Sequence, residues 1–313
     1  MKAMRVFVYE AYIPAGGTYM AYHIGRIMCD LFDAEVICVG TSPTKGMFSY
    51  PILFPAIDRE QFVRAVSRED ILICNPSFSS ELFGLRVECR KLSYVQGIRT
   101  FEVLDIFFDH YVFVSEVVKQ FVAQHYGING PVIPAFIHTD VFHPFTEAGR
   151  PKEWEQRRRT CLVLQRKMSP LVYQRLQRTY EAMYPGQPCP WELVPIVSQA
   201  ELAMRFRDSR VFVSLDVMEG FGLPMLEAMA CGCAVVGWDS LGCREYARSG
   251  QNALLSNYGD FQGLARQLNL LLRDDKLARD LGAQAQQEAS VLSQERFDRT
   301  WAAELKAFLA GRG

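Results

Sequence analysis

At 313 residues the chain is long enough for two domains of ordinary size, each able to bury its own core. Its 49% hydrophobic and 22% charged residues predict a soluble globular protein, and a formal net charge of −1 offers no global field for nucleic acid, so none is expected as a partner. Nine cysteines without a C-x-x-C pair point to reduced thiols in a cytoplasmic protein, and no apolar run approaches the ~18 residues that span a bilayer.

The start Met1-Lys2-Ala3-Met4-Arg5 leads straight into a strand and predicts no cleaved leader; peripheral attachment, at the inner face of a membrane, stays open. Arg5 to Tyr9 reads as that strand and Tyr19 to Phe32 as a helix. Between them stands the pair Gly16-Gly17, either a plain turn or a phosphate cradle. Glu35 to Gly40 is a second strand, followed by a Pro-, Gly- and Ser-rich loop to about Ala56. Ile71 to Cys74 is another, ending in Asn75-Pro76-Ser77. Lys91 to Val95 ends in Gln96-Gly97, at the end of the strand where open α/β sheets carry ligand-binding groups. Gln96 is therefore an acceptor contact or a turn residue.

Asp109 to Pro144 reads as strand, helix and short strand, and Thr146 to Thr160 as a polar linker. Its basic cluster is a solvated connector or, alternatively, a contact for anionic lipid. Cys161 to Leu164 restarts a strand, with Gln165-Arg166-Lys167 directly after it. Strands are expected at Trp191 to Val197 and near Asn252 to Leu255, with a helix from about Ser198 to Phe206 between the first of these and Val211. From Asp260 on the pattern is helical, with Leu264, Leu268, Leu271 and Leu272 on one stripe and Phe297, Trp301, Leu305 and Phe308 on the last.

The chemistry concentrates between Val211 and Trp238. Val211 to Val213 form a buried strand, a loop runs from Asp216 to Gly222, and Pro224 begins a helix at no cost, because its missing N–H would be an orphan there. Gly232 suits the left-handed turn that ends the helix, and Ala234 to Trp238 is the next strand. The amides of Phe221 to Met225, Pro224 excepted, are expected to lack intrahelical partners, and the helix dipole adds positive potential at that end; phosphate is the natural ligand. Gly220 and Gly222, on either side of Phe221, let the backbone approach it closely. Glu219 and Glu227, separated by seven residues, bracket this anion site. A carboxylate beside a phosphate repels it unless it faces hydroxyls, and a sugar on a nucleoside diphosphate supplies hydroxyls on both sides. The competing reading is a buried strand and helix whose glutamates are a cap and a surface charge.

The run EGFGLPMLEAMACGCAVVG, from Glu219, resembles the Glu-x7-Glu signature of retaining nucleotide-sugar glycosyltransferases of the GT-B fold, close to glycosyltransferase family 4. Asp109 to Pro144 is a second zone of resemblance, through Val114-Ser115, Tyr126-Gly127 and Phe142-His143-Pro144. It departs from the family at Ala135 to His138. The resemblance implies an α/β protein of two Rossmann-like domains facing a central cleft. Residues 1–145 would form the acceptor-side domain, 146–159 a linker, 160–295 the nucleotide-sugar domain, and 296–313 a helix packing back on the first domain.

It implies Glu227 as the ribose ligand, at an exposed position of the cleft, and Glu219 beside the donor sugar. Gly16 and Gly17 would lie against the donor diphosphate, with Gly220, Phe221, Gly222 and Leu223 around the donor. Arg166 and Lys167 would neutralise the diphosphate, one through a planar fork and the other as a point charge. Relatives carry a histidine where this chain has Asn75.

The implied reaction transfers a sugar from a nucleoside-diphosphate donor to a glycan, lipid-linked or other acceptor in cell-envelope polysaccharide synthesis, with retention. No cofactor is implied. No metal is implied either, since no Asp-x-Asp pair occupies a suitable loop and none of the five histidines stands at metal-ligand spacing. The rivals are a nucleotide-sugar epimerase of the same fold, a phosphorylase, which would need a pyridoxal-phosphate lysine and a longer chain, and a non-catalytic sugar- or nucleotide-binding module.

Overall fold

The computed structural model describes residues 4–9, 15–40, 50–51, 53–146, 149–165 and 169–311. They divide into two compact units, Met1–Phe136 with Gln294–Gly313, and Ile137–Ser293.

The first unit is built on β1 (Arg5–Tyr9), α1 (Gly16–Phe32), β2 (Glu35–Val39), β3 (Ala56–Ile57), α2 (Arg59–Ala65), β4 (Ile71–Cys74), α3 (Phe83–Arg86), β5 (Arg90–Val95), β6 (His110–Phe113) and α4 (Glu116–Tyr126). Its six strands lie in the order β3-β2-β1-β4-β5-β6, all parallel. Both faces of such a sheet are covered, which is why β4 is a continuous buried run, ILIC, rather than an alternating one. Phe7, Tyr9, Phe62, Leu72 and Phe83 pack together on one of those faces.

The second unit contains β7 (Arg158–Leu164), α5 (Pro170–Met183), β8 (Trp191–Val194), α6 (Gln199–Asp208), β9 (Ser209–Ser214), α7 (Leu223–Ala230), β10 (Ala234–Trp238), β11 (Leu254–Ser256), α8 (Phe261–Arg273) and α9 (Asp275–Val291). Its parallel sheet runs β11-β10-β9-β7-β8. The strand order reverses between β7 and β9, and in open α/β sheets ligands bind beyond the carboxyl ends of the strands at such a switch point. The chain leaves β9 toward Glu219, so the topology brings that loop to this edge. The last helix, α10 (Gln294–Ala310), belongs to the first unit. Its stripe of Phe297, Trp301, Leu305 and Phe308 is buried, with Trp301 edge-on to Tyr94 at 5.0 Å, and Arg90 donates to the carbonyls that end the helix.

Several local expectations need correction. α1 starts at Gly16 rather than Tyr19. β8 stops at Val194, since Pro195 has no N–H to continue the ladder. Helix α5, unforeseen between 168 and 190, carries the usual start signals: Ser169 Oγ accepts from the Leu171 amide at 3.3 Å and Pro170 follows it.

The largest correction concerns the linker. Trp154 and Arg157 are buried, and residues 158–160 already belong to β7. Its terminal cations stay solvated, Arg158 52% and Arg159 68% exposed, while pairing with the second unit's acids, Arg158 with Glu192 at 2.9 Å and Arg159 with Asp275 at 2.7 Å. Lys152 is paired with Asp208, and Arg279 with Glu155.

Candidate anion and sugar site at the start of α7

Strand β9 is buried throughout and delivers the chain into a loop held from the side. The Glu219 amide donates to Ser240 O at 2.9 Å, and Glu219 O accepts from the Gly242 amide at 3.0 Å, so Glu219 forms a parallel bridge with Leu241. The Gly242 amide also donates to Ser240 O at 2.9 Å. That closes a three-residue turn centred on Leu241 at φ 68°, ψ −64°, the strained form of the γ-turn, which for a non-glycine residue costs on the order of 1–3 kcal/mol. The loop that carries Glu219 is thus fastened to the exit of the neighbouring strand, β10.

Gly222 ends the loop at φ 86°, ψ 50° and caps α7 without any side-chain hydrogen bond. The left-handed region is where glycine carries no Cβ penalty. The helix starts at Leu223, one residue earlier than the proline rule suggests, and Pro224 sits in its first turn. The Met225 amide is not an orphan as expected, because it donates to Gly222 O at 3.2 Å. Of the amides expected to be orphans, those of Phe221, Gly222 and Leu223 have no backbone acceptor among the described residues. At the far end Gly232, at φ 80°, closes the helix: its amide bonds Met229 O at 2.9 Å and the Cys233 amide bonds Ala228 O at 3.0 Å. Buried Arg157 donates to Cys231 O there at 2.9 Å, a cation at the negative end of the dipole.

Glu227 is 8% exposed, so its expected exposed position is corrected: the residue starts the second turn of a helix packed between layers. Glu219 is half-buried. Both bear on Tyr246, which is fully buried, donates its hydroxyl to Gly222 O at 2.5 Å and packs 5.4 Å from Phe221. Burial, with the neighbouring Cys243 thiol and the carboxylates of Glu219, Asp216 and Glu227, pushes the phenol pKa well above its ordinary value. The structure therefore brings Gly222, Phe221 and Glu219 together beside one protonated tyrosine, with Leu223 and Glu227 following on the helix that Gly222 starts. No local sequence motif marks either the tyrosine or the Leu241 turn.

Arg166 and Lys167 lie outside the described residues; β7 before them ends at Leu164, and the Gln165 amide donates to Val194 O at 2.7 Å. Gly16 and Gly17 open α1 in the first unit, where Gln96 Nε2 donates to Gly17 O at 3.2 Å. Asn75 caps a turn, its Oδ1 accepting from the Ser77 amide at 2.8 Å. His138 is half-buried, and this partial burial lowers its pKa against the opposing pull of Asp140. Cys231 and Cys233 are buried, and burial pushes the Cys233 thiol up to about 12, as a packing role requires. Among the described residues no group of three or more His, Cys, Asp or Glu side chains could hold a metal ion, and no helix is long and apolar enough to cross a membrane.

Residues 192–288 match the family model described as glycosyl transferases group 1. The N-acetyl-alpha-D-glucosaminyl L-malate synthase of Bacillus anthracis is 38% identical over 79 residues, 25% of this chain and 21% of that protein. An N,N'-diacetylbacillosaminyl-diphospho-undecaprenol alpha-1,3-N-acetylgalactosaminyltransferase of Campylobacter jejuni is 32% identical over 92 residues, 29% of this chain and 24% of that protein. The chain thus aligns with under a quarter of the length of either curated relative. Among solved structures, Anabaena HepE in complex with UDP and glucose superposes with a TM-score of 0.79 at 14% identity, over 97% of this chain and 100% of that one. The fold is GT-B, two parallel-sheet α/β domains, and the match to the glycosyl transferases group 1 model lies within the second unit.

Proposed function

We propose that this protein is a retaining, metal-independent glycosyltransferase that takes a sugar from a nucleoside diphosphate and passes it to a glycan or lipid-linked acceptor in cell-envelope polysaccharide synthesis. The observation that carries the reading is a helix start whose Phe221, Gly222 and Leu223 amides have no backbone acceptor, with the Glu219 side chain beside Gly222 and Glu227 on the same short helix. A phosphate suits the amides, and hydroxyls suit the carboxylates. In this reading Glu227 takes the ribose and Glu219 positions the donor sugar. Gly220, Phe221, Gly222 and Leu223 surround the donor. The Campylobacter relative's name specifies a diphospho-undecaprenol-linked substrate, which supports a lipid-linked acceptor and work at the inner face of a membrane.

When the glycosidic bond breaks, negative charge grows on the diphosphate. The Gly222 and Leu223 amides, the α7 dipole, Arg166 and Lys167 bind that charge more strongly than they bind the ground state, which is what lowers a barrier. A divalent ion would then duplicate a role already filled at the leaving group.

The test starts with UDP, GDP, dTDP and ADP and their sugars. One nucleotide should raise the melting temperature, and its sugar should be transferred to an acceptor in saturating EDTA with the donor's anomeric configuration kept. Activity lost on chelation and restored by manganese or magnesium would remove metal independence, and an inverted product would remove the retaining assignment. Epimerised donor without transfer would favour the epimerase, and binding without turnover the non-catalytic module.

A further inference from the structure

The Ser240–Tyr246 segment lies outside the run that bears the two glutamates, yet it ends in the residue that fixes the first peptide of α7. Tyr246 donates to Gly222 O at 2.5 Å from a fully buried position, and the same oxygen accepts the Met225 amide at 3.2 Å. A trans peptide points its C=O and N–H in opposite directions, and the described residues contain no cis peptide. Whatever fixes the Gly222 carbonyl therefore fixes the direction of the Leu223 N–H. Two donors on one carbonyl also polarise the peptide, which makes its N–H a stronger donor in turn. The surrounding charges of Glu219, Asp216 and Glu227, added to burial, keep the phenol in its protonated, donating form. Phe221, 5.4 Å from the ring, holds the preceding part of the loop against the same side chain.

We infer that Tyr246 is a positioning residue of the donor site: it holds the Gly222–Leu223 peptide so that the Leu223 amide faces the donor diphosphate. The inference rests on the glycosyltransferase reading and adds to it a residue that touches no substrate. Its effect should be confined to the phosphate end of the ligand.

Tyr246→Phe removes the hydroxyl and leaves the ring. The probes are UDP and uridine, or whichever of GDP, dTDP and ADP the wild type prefers together with its nucleoside. UDP affinity should fall roughly three- to tenfold, the range of one hydrogen bond, while uridine affinity stays unchanged. A tyrosine that only supports packing would weaken both ligands together or neither, and either result overturns the inference while the donor reading stands. A wild type that binds none of the four nucleoside diphosphates removes the donor reading, and the inference with it. Should the phenylalanine variant fail to fold, Tyr246→3-fluorotyrosine keeps the shape with a stronger donor. It should tighten UDP relative to uridine, and an unchanged or lower ratio overturns the assignment.

Discussion

Each unit contains a strand, a glycine-bearing loop and a helix that look alike in sequence, and the structure uses them differently. In the first unit α1 opens at Gly16 behind an extended Ala15, at φ −129°. Gly17 stays out of the left-handed region, and a Cβ there would fall 2.5 Å from Gln96 Oε1. In the second unit Gly222 is left-handed, with Tyr246 on its carbonyl, Glu219 beside it and Glu227 on the helix it starts. Gly17 leaves room for a neighbouring amide side chain; Gly222 makes a backbone conformation possible. A glycine at a helix start therefore marks two separate devices, and only the second comes with carboxylates that a sugar could satisfy.

The contrast breaks most visibly in turnover. Glu219→Gln should lower the transfer rate by about 10²–10³-fold, the loss typical of a group that stabilises developing charge, with nucleotide binding retained. Gln96→Ala, its counterpart beside Gly17, should change the rate by no more than about threefold. Steady-state assays on the two variants compare them directly, and the reverse ranking would move the chemistry to the first unit. Next in size is Glu227→Gln, which keeps the buried volume but removes the charge. A charge-assisted hydrogen bond is worth roughly 1.5–3 kcal/mol, so nucleotide affinity measured by calorimetry should fall at least tenfold; an unchanged affinity would leave Glu227 a packing residue.

Substituting the glycines themselves sharpens the comparison. Gly222→Ala meets the left-handed penalty of about 1–2 kcal/mol, and no second substitution relieves it. Gly17→Ala conflicts only with a side chain, so adding Gln96→Ala should recover most of the loss in thermal unfolding, giving a coupled double-mutant cycle. Smaller still is Leu241→Gly, which frees the strained turn and should stabilise the protein by up to about 1 kcal/mol, the gain reduced by the greater unfolded-state freedom of glycine.

The smallest effect is one of pH. In the first unit burial raises the Asp70 pKa, but hydrogen bonds from Arg5 and from the amide and hydroxyl of Ser67 outweigh it and hold the carboxyl below its usual range. A folded pKa below the unfolded one adds stability above the unfolded value and loses it as pH falls through the folded value. Acid unfolding of Asp70→Asn, followed from pH 7 downward, should lack this component below about pH 4, and nucleotide affinity at neutral pH should be unaffected.

The strands were legible because β-branched and aromatic runs such as RVFVY and ILIC fit a sheet buried on both faces. The helix stripes were legible from their spacing, and Gly232 as a helix stop from the conformation it alone adopts cheaply. Glu219 and Glu227 could be singled out because a short local motif carries them. What escaped depends on partners distant in the chain. The pairing of the cations from Lys152 to Arg159 escaped because Glu192, Asp208 and Asp275, which pair with them, lie tens of residues on. Tyr246 and the Leu241 turn acquire a role only once β10 is known to lie beside β9. Glu227 looked exposed because a helical glutamate usually is; here layers on both sides of α7 cover it.

Helix α7 is 8 residues long, so its ends are separated by about 12 Å. At the carboxyl end stands the buried guanidinium of Arg157, and at the amino end the proposed seat of a diphosphate. Opposite unit charges at that separation attract by roughly 1.4 kcal/mol at an effective dielectric constant near 20. By thermodynamic reciprocity, a ligand that gains affinity from Arg157 must equally strengthen the hold of Arg157 on Cys231. The segment first read as a connector between domains would then act on nucleotide affinity without touching the nucleotide, through the length of two helical turns.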